Sequence, residues 1–465
     1  MKRLIVFVLA ACLSASAAAQ EKFEQGKPNN SDYRYLDDYQ ALKNYINYDK
    51  YPNFKLGIGT TVNDYLSNQT FRNLVNKNFT ETVAGNAMKM QSCVDNNGNM
   101  NFETVKKYVK AATDAGLHIY GHTLAWHSQQ PYVWLRNLVN GKSQQERHDT
   151  LVYVMDKWIK GMMEACDGKV KAWDLVNEAL AGEGSDGEGN YPLQHSTGYK
   201  SGTWDVGGDT FYWQDHLGDL DYVRQACRLA RLYGPEDIKL FINDYNLESD
   251  WDGNKKVKSL VNWIKKWEAD GETHIDGIGT QMHICCFEDD NTLNSIKQHI
   301  TTMFEVMAAS GKLCRISEMD MGYVRGTNNR WGDKIKTAQL TEAEHQKMAD
   351  FYEWIIKEYL RVIPAEQQWG ICQWCPTDVP DAQYMWRRGE PVGIWDINYY
   401  RKHAYAGFVR GLGGEVYTAI NGVKADKATD TSKSIYNLNG ARLQAKSLDA
   451  LPPGIYIVNG KKIVK

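Results

Sequence analysis

Two glutamates stand in settings that suit the chemistry of an acetal bond. One closes the run Trp173-Asp-Leu-Val-Asn177-Glu178, and the other sits in Arg315-Ile-Ser-Glu318-Met-Asp320. Both runs read as buried strands, so each acid emerges where a strand meets solvent. Alone, either acid is more often a salt-bridged structural residue. Together, with His, Asn and Trp at neighbouring strand ends, they match what glycoside cleavage needs. One carboxyl protonates the departing oxygen while the other handles the cationic carbon. Burial and the charge of the second acid raise the proton affinity of the first. Once the second is esterified by sugar, that charge is gone, and the first acidifies enough to activate water.

Competing chemistries find less support. His122, His127 and His283 lie on different candidate strands and form no HExxH pair, so a metal hydrolase is a weak reading. Cys372-Gln-Trp-Cys375 has no second CxxC to complete a zinc set, and buried thiols or one isolated bridge are expected instead. No metal and no organic cofactor are expected. The 54 Lys and Arg against 57 Asp and Glu give a net charge of −3, too neutral for a nucleic-acid binder. With 43% hydrophobic and 24% charged residues, the chain is an ordinary globular protein. Its 15 Trp, 27 Tyr and 12 Phe are in excess, which suits stacking on sugar rings.

The elements that must position these residues alternate. Short apolar runs occur at 55–61, 80–83, 118–126, 170–177, 239–245, 277–283, 313–319 and 370–374. Helical periodicity occurs at 102–115, 147–166, 222–233, 255–269, 293–310 and 342–360. Gly116, Gly234, Gly271 and Gly311 follow helices where a left-handed cap is expected. Thr341 and Glu344 form a capping box. The fold class is α/β, and eight alternating units predict a (β/α)8 TIM barrel. A doubly wound sheet is the alternative, but Gly57-Ile-Gly59 lies inside the first strand and makes no phosphate loop. In a barrel, the strand C-termini collect the chemistry. The segment 182–218, rich in Gly, Asp and aromatics, then borders the mouth or is a surface decoration.

Residues 1–20 read as an export signal: Lys2 and Arg3, an apolar run, then Ala17-Ala18-Ala19. No later uncharged stretch is long enough to span a bilayer. The expected location is secreted or at the cell surface, with the periplasm as alternative. Lipidation at Cys12, within Leu9-Ala10-Ala11-Cys12, ranks below these. The expected division is a signal at 1–20, a barrel domain at 21–414 and a small C-terminal β appendage at 415–465, with a turn at Pro452-Pro453-Gly454.

Several spaced motifs in order resemble family 10 glycoside hydrolases, the retaining endo-β-1,4-xylanases. They are Gly121-His122-Thr-Leu-Ala-Trp126-His127-Ser-Gln129, Trp173–Glu178, Asn243-Asp-Tyr245-Asn246, Gly277-Ile-Gly-Thr-Gln281-Met-His283 and Ile316-Ser-Glu318-Met-Asp320. The resemblance implies Glu178 as acid/base and Glu318 as nucleophile, with His283 holding Glu318 ionised and Asp320 orienting His283. It further implies Asn177 on the sugar 2-hydroxyl and Asn86, Lys89, His122, Trp126 and Gln129 on the non-reducing side. Gln281 joins the substrate-binding set, Trp374 and Trp386 wall the cleavage subsite, and Tyr245 reaches the leaving-group side. For Trp374, inside an apolar run, core packing is the competing reading. A closed wall beside the sugar would favour xylose over glucose, though small apolar differences discriminate by only about 1–3 kcal/mol. The implied partner is xylan or a xylo-oligosaccharide as substrate, and the protein is expected to be a monomer. A β-1,4-glucanase of the same mechanism and a non-catalytic polysaccharide-binding protein are the alternatives. The chain departs from the family at Gly85 and Ala87, where acids are usual, and at Met90, where tryptophan is usual. The stretch from Ser434 to Lys465 resembles the C-terminal sorting domains of Bacteroidetes type IX secretion cargo, which implies export across the outer membrane.

Overall fold

The computed structural model describes residues 24–196, 208–326 and 334–414, and, near the C-terminus, 435–437, 442–443, 451, 455–458 and 461–464. The expected export signal, Cys12, the turn at Pro452-Pro453-Gly454, and Tyr199 and Trp204 of the long loop lie outside the described residues.

Eight parallel strands close into the expected (β/α)8 barrel. They are β1 (Lys55–Gly59), β2 (Glu81–Val83), β3 (His118–Gly121), β4 (Ala172–Asn177), β5 (Lys239–Asp244), β6 (Gly277–Thr280), β8 (Leu313–Val324) and β9 (Gln368–Gln373). Their hydrogen-bonded order runs from β6 back to β1, on to β9 and β8, and closes from β8 to β6. A ninth strand, β7 (His283–Phe287), was not expected as a separate element. The run read as one strand at 277–283 breaks at Met282, whose φ is +55°. The chain then pairs with the long upper half of β8, which puts His283 directly opposite Asp320.

The six helices expected from periodicity are present, from Glu103–Asp114 through Glu342–Val362, the last opened by the Thr341–Glu344 capping box. Two further helices complete the shell. His403–Gly411 is buried on every side, so it carries no amphipathic period to read. Gln69–Asn78 is short and follows directly on Val62–Ser67. Gly116, Gly271 and Gly311 adopt left-handed caps with φ of +77°, +76° and +73°. Gly234 does not: its φ is −80° and ψ 172°. The reason is Pro235, which drives the residue before it into extended conformations.

The barrel floor is closed by charge. Arg315 and Glu81 pair inside it, almost fully buried, with the guanidinium 3.8 Å from the Tyr120 ring centroid and Trp369 Nε1 donating to Glu81 Oε2 at 3.1 Å. The described parts of the loop after β4 are built in rather than decorative, because Tyr191, Phe211 and Trp213 are all buried. The eight described cysteines are free thiols, and Cys372 and Cys375 are buried. Near the C-terminus, β10 (Ile435–Asn437), β11 (Arg442–Leu443), β12 (Ile455–Val458) and β13 (Lys461–Val464) form an antiparallel sheet in the order β11-β10-β12-β13. No helix among the described residues is long and apolar enough to cross a membrane.

Candidate active site

Glu178 follows β4 with a left-handed backbone, φ +57°. A non-glycine residue rarely accepts this, and such strain is held only where the surroundings over-determine it. Here its N–H donates to the Asn243 carbonyl at 2.8 Å, and its own carbonyl accepts from Gln194 Nε2 at 2.9 Å. The half-buried carboxylate faces neutral donors. Gln281 Nε2 reaches Oε1 at 2.8 Å, Asn177 Nδ2 reaches Oε1 at 3.2 Å, and Trp126 Nε1 reaches Oε2 at 3.1 Å.

Glu318 lies within β8, 5% exposed. Its Oε1 accepts from Asn243 Nδ2 at 2.9 Å, and its Oε2 lies 3.4 Å from His283 Nε2. His283 Nδ1 lies 3.0 Å from Asp320 Oδ1, the consequence of their facing positions on β7 and β8. Asp320 is saturated: Arg387 Nη1 donates to Oδ1 at 2.6 Å and Trp386 Nε1 to Oδ2 at 2.8 Å. Burial works against every charge in this set, but the imidazole sits between two carboxylates, and its pKa is pushed up to about 10. Burial likewise opposes the charge on Glu318. The His283 hydrogen bond outweighs it, helped by the fields of His122, His283 and Lys89, and holds the Glu318 carboxyl at about 2. Asp320 is held well below the usual carboxylate range by His283 and Arg387 against the same burial.

Asn243 joins the two centres, since the same Nδ2 that serves Glu318 also donates to Asn177 Oδ1 at 2.9 Å. Gly279 makes this possible: a Cβ there would fall 2.5 Å from Asn243 Oδ1. Sequence reading quoted Asn243 within a motif but gave it no role. It also passed over Asp174, whose Oδ2 lies 2.8 Å from His122 Nδ1 and whose Oδ1 accepts from Tyr120 at 2.6 Å. Gln194 had no sequence signal at all. Arg387 had one only through its neighbour Trp386.

The structure places the other expected residues as follows. Buried Lys89 donates to Asn86 Oδ1 at 2.9 Å and Gln129 Oε1 at 2.5 Å, and stands 4.9 Å from the Trp126 ring centroid. Burial lowers its pKa, against the pull of Glu318 and Glu178. Trp374 is half-buried at the end of β9, its ring edge-on to His122 at 5.7 Å and His283 at 6.3 Å, so it faces the site as well as the core. Trp386 is half exposed and 4.8 Å from the His283 ring. Tyr245 belongs to an adjoining charge cluster, with its ring centroid 3.4 Å from Lys256 Nζ, which pairs with buried Asp244 at 2.8 Å. The glycine at 85 reflects its backbone: φ is +52°, and a Cβ would stand 2.9 Å from the Thr60 carbonyl oxygen.

The three histidines of the metal reading do not converge among the described residues. His127 instead stacks on Tyr212 with centroids 5.0 Å apart, and burial pushes its pKa down to about 4. His122, Asp174 and Glu318 do approach one another within 4.8 Å. His122 Nδ1 and Asp174 Oδ2 already engage each other there, however, as a hydrogen-bonded pair.

Residues 47–410 match the model of glycosyl hydrolase family 10. Endo-1,4-beta-xylanase A of Thermotoga maritima is 30% identical over 363 residues, covering 76% of this chain and 29% of that protein. Endo-beta-1,4-xylanase Xyn10C of Cellvibrio japonicus is 28% identical over 378 residues, covering 78% of this chain and 56% of that one. The chain thus spans about a third to about half of the length of these two relatives. A thermostable celloxylanase of Thermoclostridium stercorarium is 25% identical over 400 residues, covering 82% and 90% of the two chains. The solved native xylanase10C from Cellvibrio japonicus superposes with a TM-score of 0.65 at 25% identity, over 81% of this chain and 74% of that one.

Proposed function

The chain belongs to glycosyl hydrolase family 10, and from that premise we propose that it cleaves β-1,4-xylosidic linkages within xylan chains, with retention of configuration. Glu178 is the acid/base and Glu318 the nucleophile. The observation that carries this reading is the contrast between two linked carboxylates. Glu318 is kept ionised by a protonated imidazole, while Glu178 is surrounded by neutral N–H groups.

In the first step a Glu318 oxygen attacks the anomeric carbon as the bond to the leaving oxygen breaks, and Glu178 passes its proton to that oxygen. The sugar is left as an ester of Glu318. Esterification removes the charge of Glu318, so Glu178, now a carboxylate, takes a proton from water as the water attacks the same carbon, the ester bond to Glu318 breaks, and its carboxylate is released with the sugar product. Asn243 and His283 hold the two Glu318 oxygens in place throughout, which spares reorganisation at the transition state. Asn177, fixed by Asn243, is positioned to hydrogen-bond the sugar 2-hydroxyl. Asn86, Lys89, Gln129, His122 and Trp126 bind the glycone, Gln281 belongs to the substrate-binding set, and Trp374 and Trp386 wall the cleaved ring. Tyr245 contacts the leaving group.

The monomeric enzyme is exported through the signal at 1–20 to the surface or medium, and the tail directs type IX secretion of the Bacteroidetes kind. Support comes from the charged, apolar and small-residue order of the leader and from the likeness of the tail. Intact-mass analysis of the exported protein places the processed N-terminus near Gln20 on this account. A lipidated Cys12 terminus contradicts it.

Product analysis on arabinoxylan and glucuronoxylan, beside cellulose, tests the activity with wild type and Glu318→Ala. Short xylo-oligosaccharides appear early and vanish in the variant. Cleavage of cellulose but not xylan moves the assignment to a β-1,4-glucanase. A folded wild type that binds xylan and cleaves nothing is a binding protein.

A further inference from the structure

Beyond β9 the chain carries an exposed apolar strap. Tyr384, Met385 and Trp386 are consecutive and 94%, 46% and 50% exposed, the only run of three among the exposed large apolar side chains of the described residues. Such clusters on a soluble surface mark sites of contact. This one begins at the reaction centre, because Trp386 donates to Asp320 and lies against His283. Tyr384 is two residues away, so its Cα is at most about 7 Å from that of Trp386.

The strap is held in a shape that a free loop would not keep. Tyr384 and Arg387 have φ of +67° and +42°, both in the left-handed region that such residues rarely occupy. Its base is pinned on several sides. Arg387, its side chain 7% exposed, donates to Asp320, to the Ile284 carbonyl at 3.0 Å and to Glu390 Oε2 at 2.7 Å. Gly389 N–H donates to the Val379 carbonyl at 3.0 Å, and Thr337 N–H to the Gly389 carbonyl at 2.8 Å. Lys336 and Arg388 both stand within ion-pair distance of Asp381, at 3.7 and 3.4 Å. A large ring left in water on a backbone anchored at its base presents a flat apolar face whose position the fold already sets.

We propose that Tyr384 is a stacking platform for a further pyranose ring of the polysaccharide backbone, continuing the aromatic surface of Trp386 beyond the cleaved linkage. This rests on the xylanase reading above. The platform would let long chains use contacts that short substrates cannot reach, which raises kcat/KM with chain length.

The test compares wild type, Tyr384→Ala, Tyr384→Phe and Tyr153→Ala on xylohexaose and on an aryl β-xylobioside. Tyr153 is an exposed tyrosine of the helix Gln144–Cys166 and serves as the control. Tyr384→Ala should lower kcat/KM on xylohexaose about tenfold, mostly through KM, and leave the aryl xylobioside within about twofold, with an unchanged unfolding temperature. Tyr384→Phe should retain wild-type behaviour. Equal losses on both substrates, or no loss on either, would each overturn the proposal. If wild type cleaves neither substrate, the xylanase reading itself fails. If it cleaves both and Tyr384→Ala matches it, only the platform fails.

Discussion

Glu178, just past β4, and Glu318, within β8, are the same side chain on two strands of one barrel, yet their surroundings are opposite. Around Glu318 the protein places His283, with Lys89 and His122 contributing field, and backs His283 with Asp320 and Arg387. Around Glu178 it places an indole and two amides. A charge-assisted contact favours the anion more strongly than a neutral donor does. Division of labour between two identical acids therefore comes from the neighbours, and the neighbours come from strand register. The His283–Asp320 pairing exists because β7 restarts after Met282 against the upper half of β8.

The variants that break this contrast follow in order of effect. Glu318→Ala removes the nucleophile and should lower kcat on an aryl xylobioside by about 10⁴-fold or more. Residual activity within about tenfold of wild type would end the assignment. Glu178→Ala should lower kcat on xylan by about 10²- to 10⁴-fold, and far less on an aryl xylobioside whose leaving group needs no proton. Equal losses on both would make Glu178 something other than the proton donor.

His283→Asn keeps a polar side chain and removes the cation. It should lower kcat about 10²-fold. It should also move the acidic limb of the kcat/KM profile to higher pH, because Glu318 then loses the partner that holds it at about 2. An unmoved acidic limb would show that His283 does not set the ionisation of Glu318. The smallest effect is on stability. The folded pKa of His283, about 10, lies above the 6.5 of a free imidazole, so its ion pairing contributes fully below about pH 6.5 and is lost as pH rises towards 10. The gap in unfolding temperature between wild type and His283→Asn should narrow over that window.

The sequence made the barrel and its two acids legible because both depend on local pattern. Apolar runs ending in Asn177-Glu178 and Ser317-Glu318 are visible without any tertiary knowledge. What it hid were cross-strand consequences. Asn243 serves Glu318 and Asn177 at once only because Gly279 on the next strand leaves room for it. Met282 turns left-handed inside what reads as one continuous strand. Gln194 reaches the Glu178 carbonyl from a loop whose composition resembles surface decoration, and it is itself held by Gln214. Trp386 and Lys89 were found by resemblance rather than by pattern, since an exposed tryptophan and a buried lysine have no local signature. At Gly234 the local signal lies in the next residue, because Pro235 holds it extended instead of left-handed.

The central claim is that Glu318, and not Glu178, forms the covalent bond to sugar. A 2-deoxy-2-fluoro-xylobioside with an activated leaving group should inactivate the mature protein, and peptide mass spectrometry should then find one glycosyl adduct, on Glu318. An adduct on Glu178, or steady turnover with no adduct and a product of inverted anomeric configuration, would contradict the account.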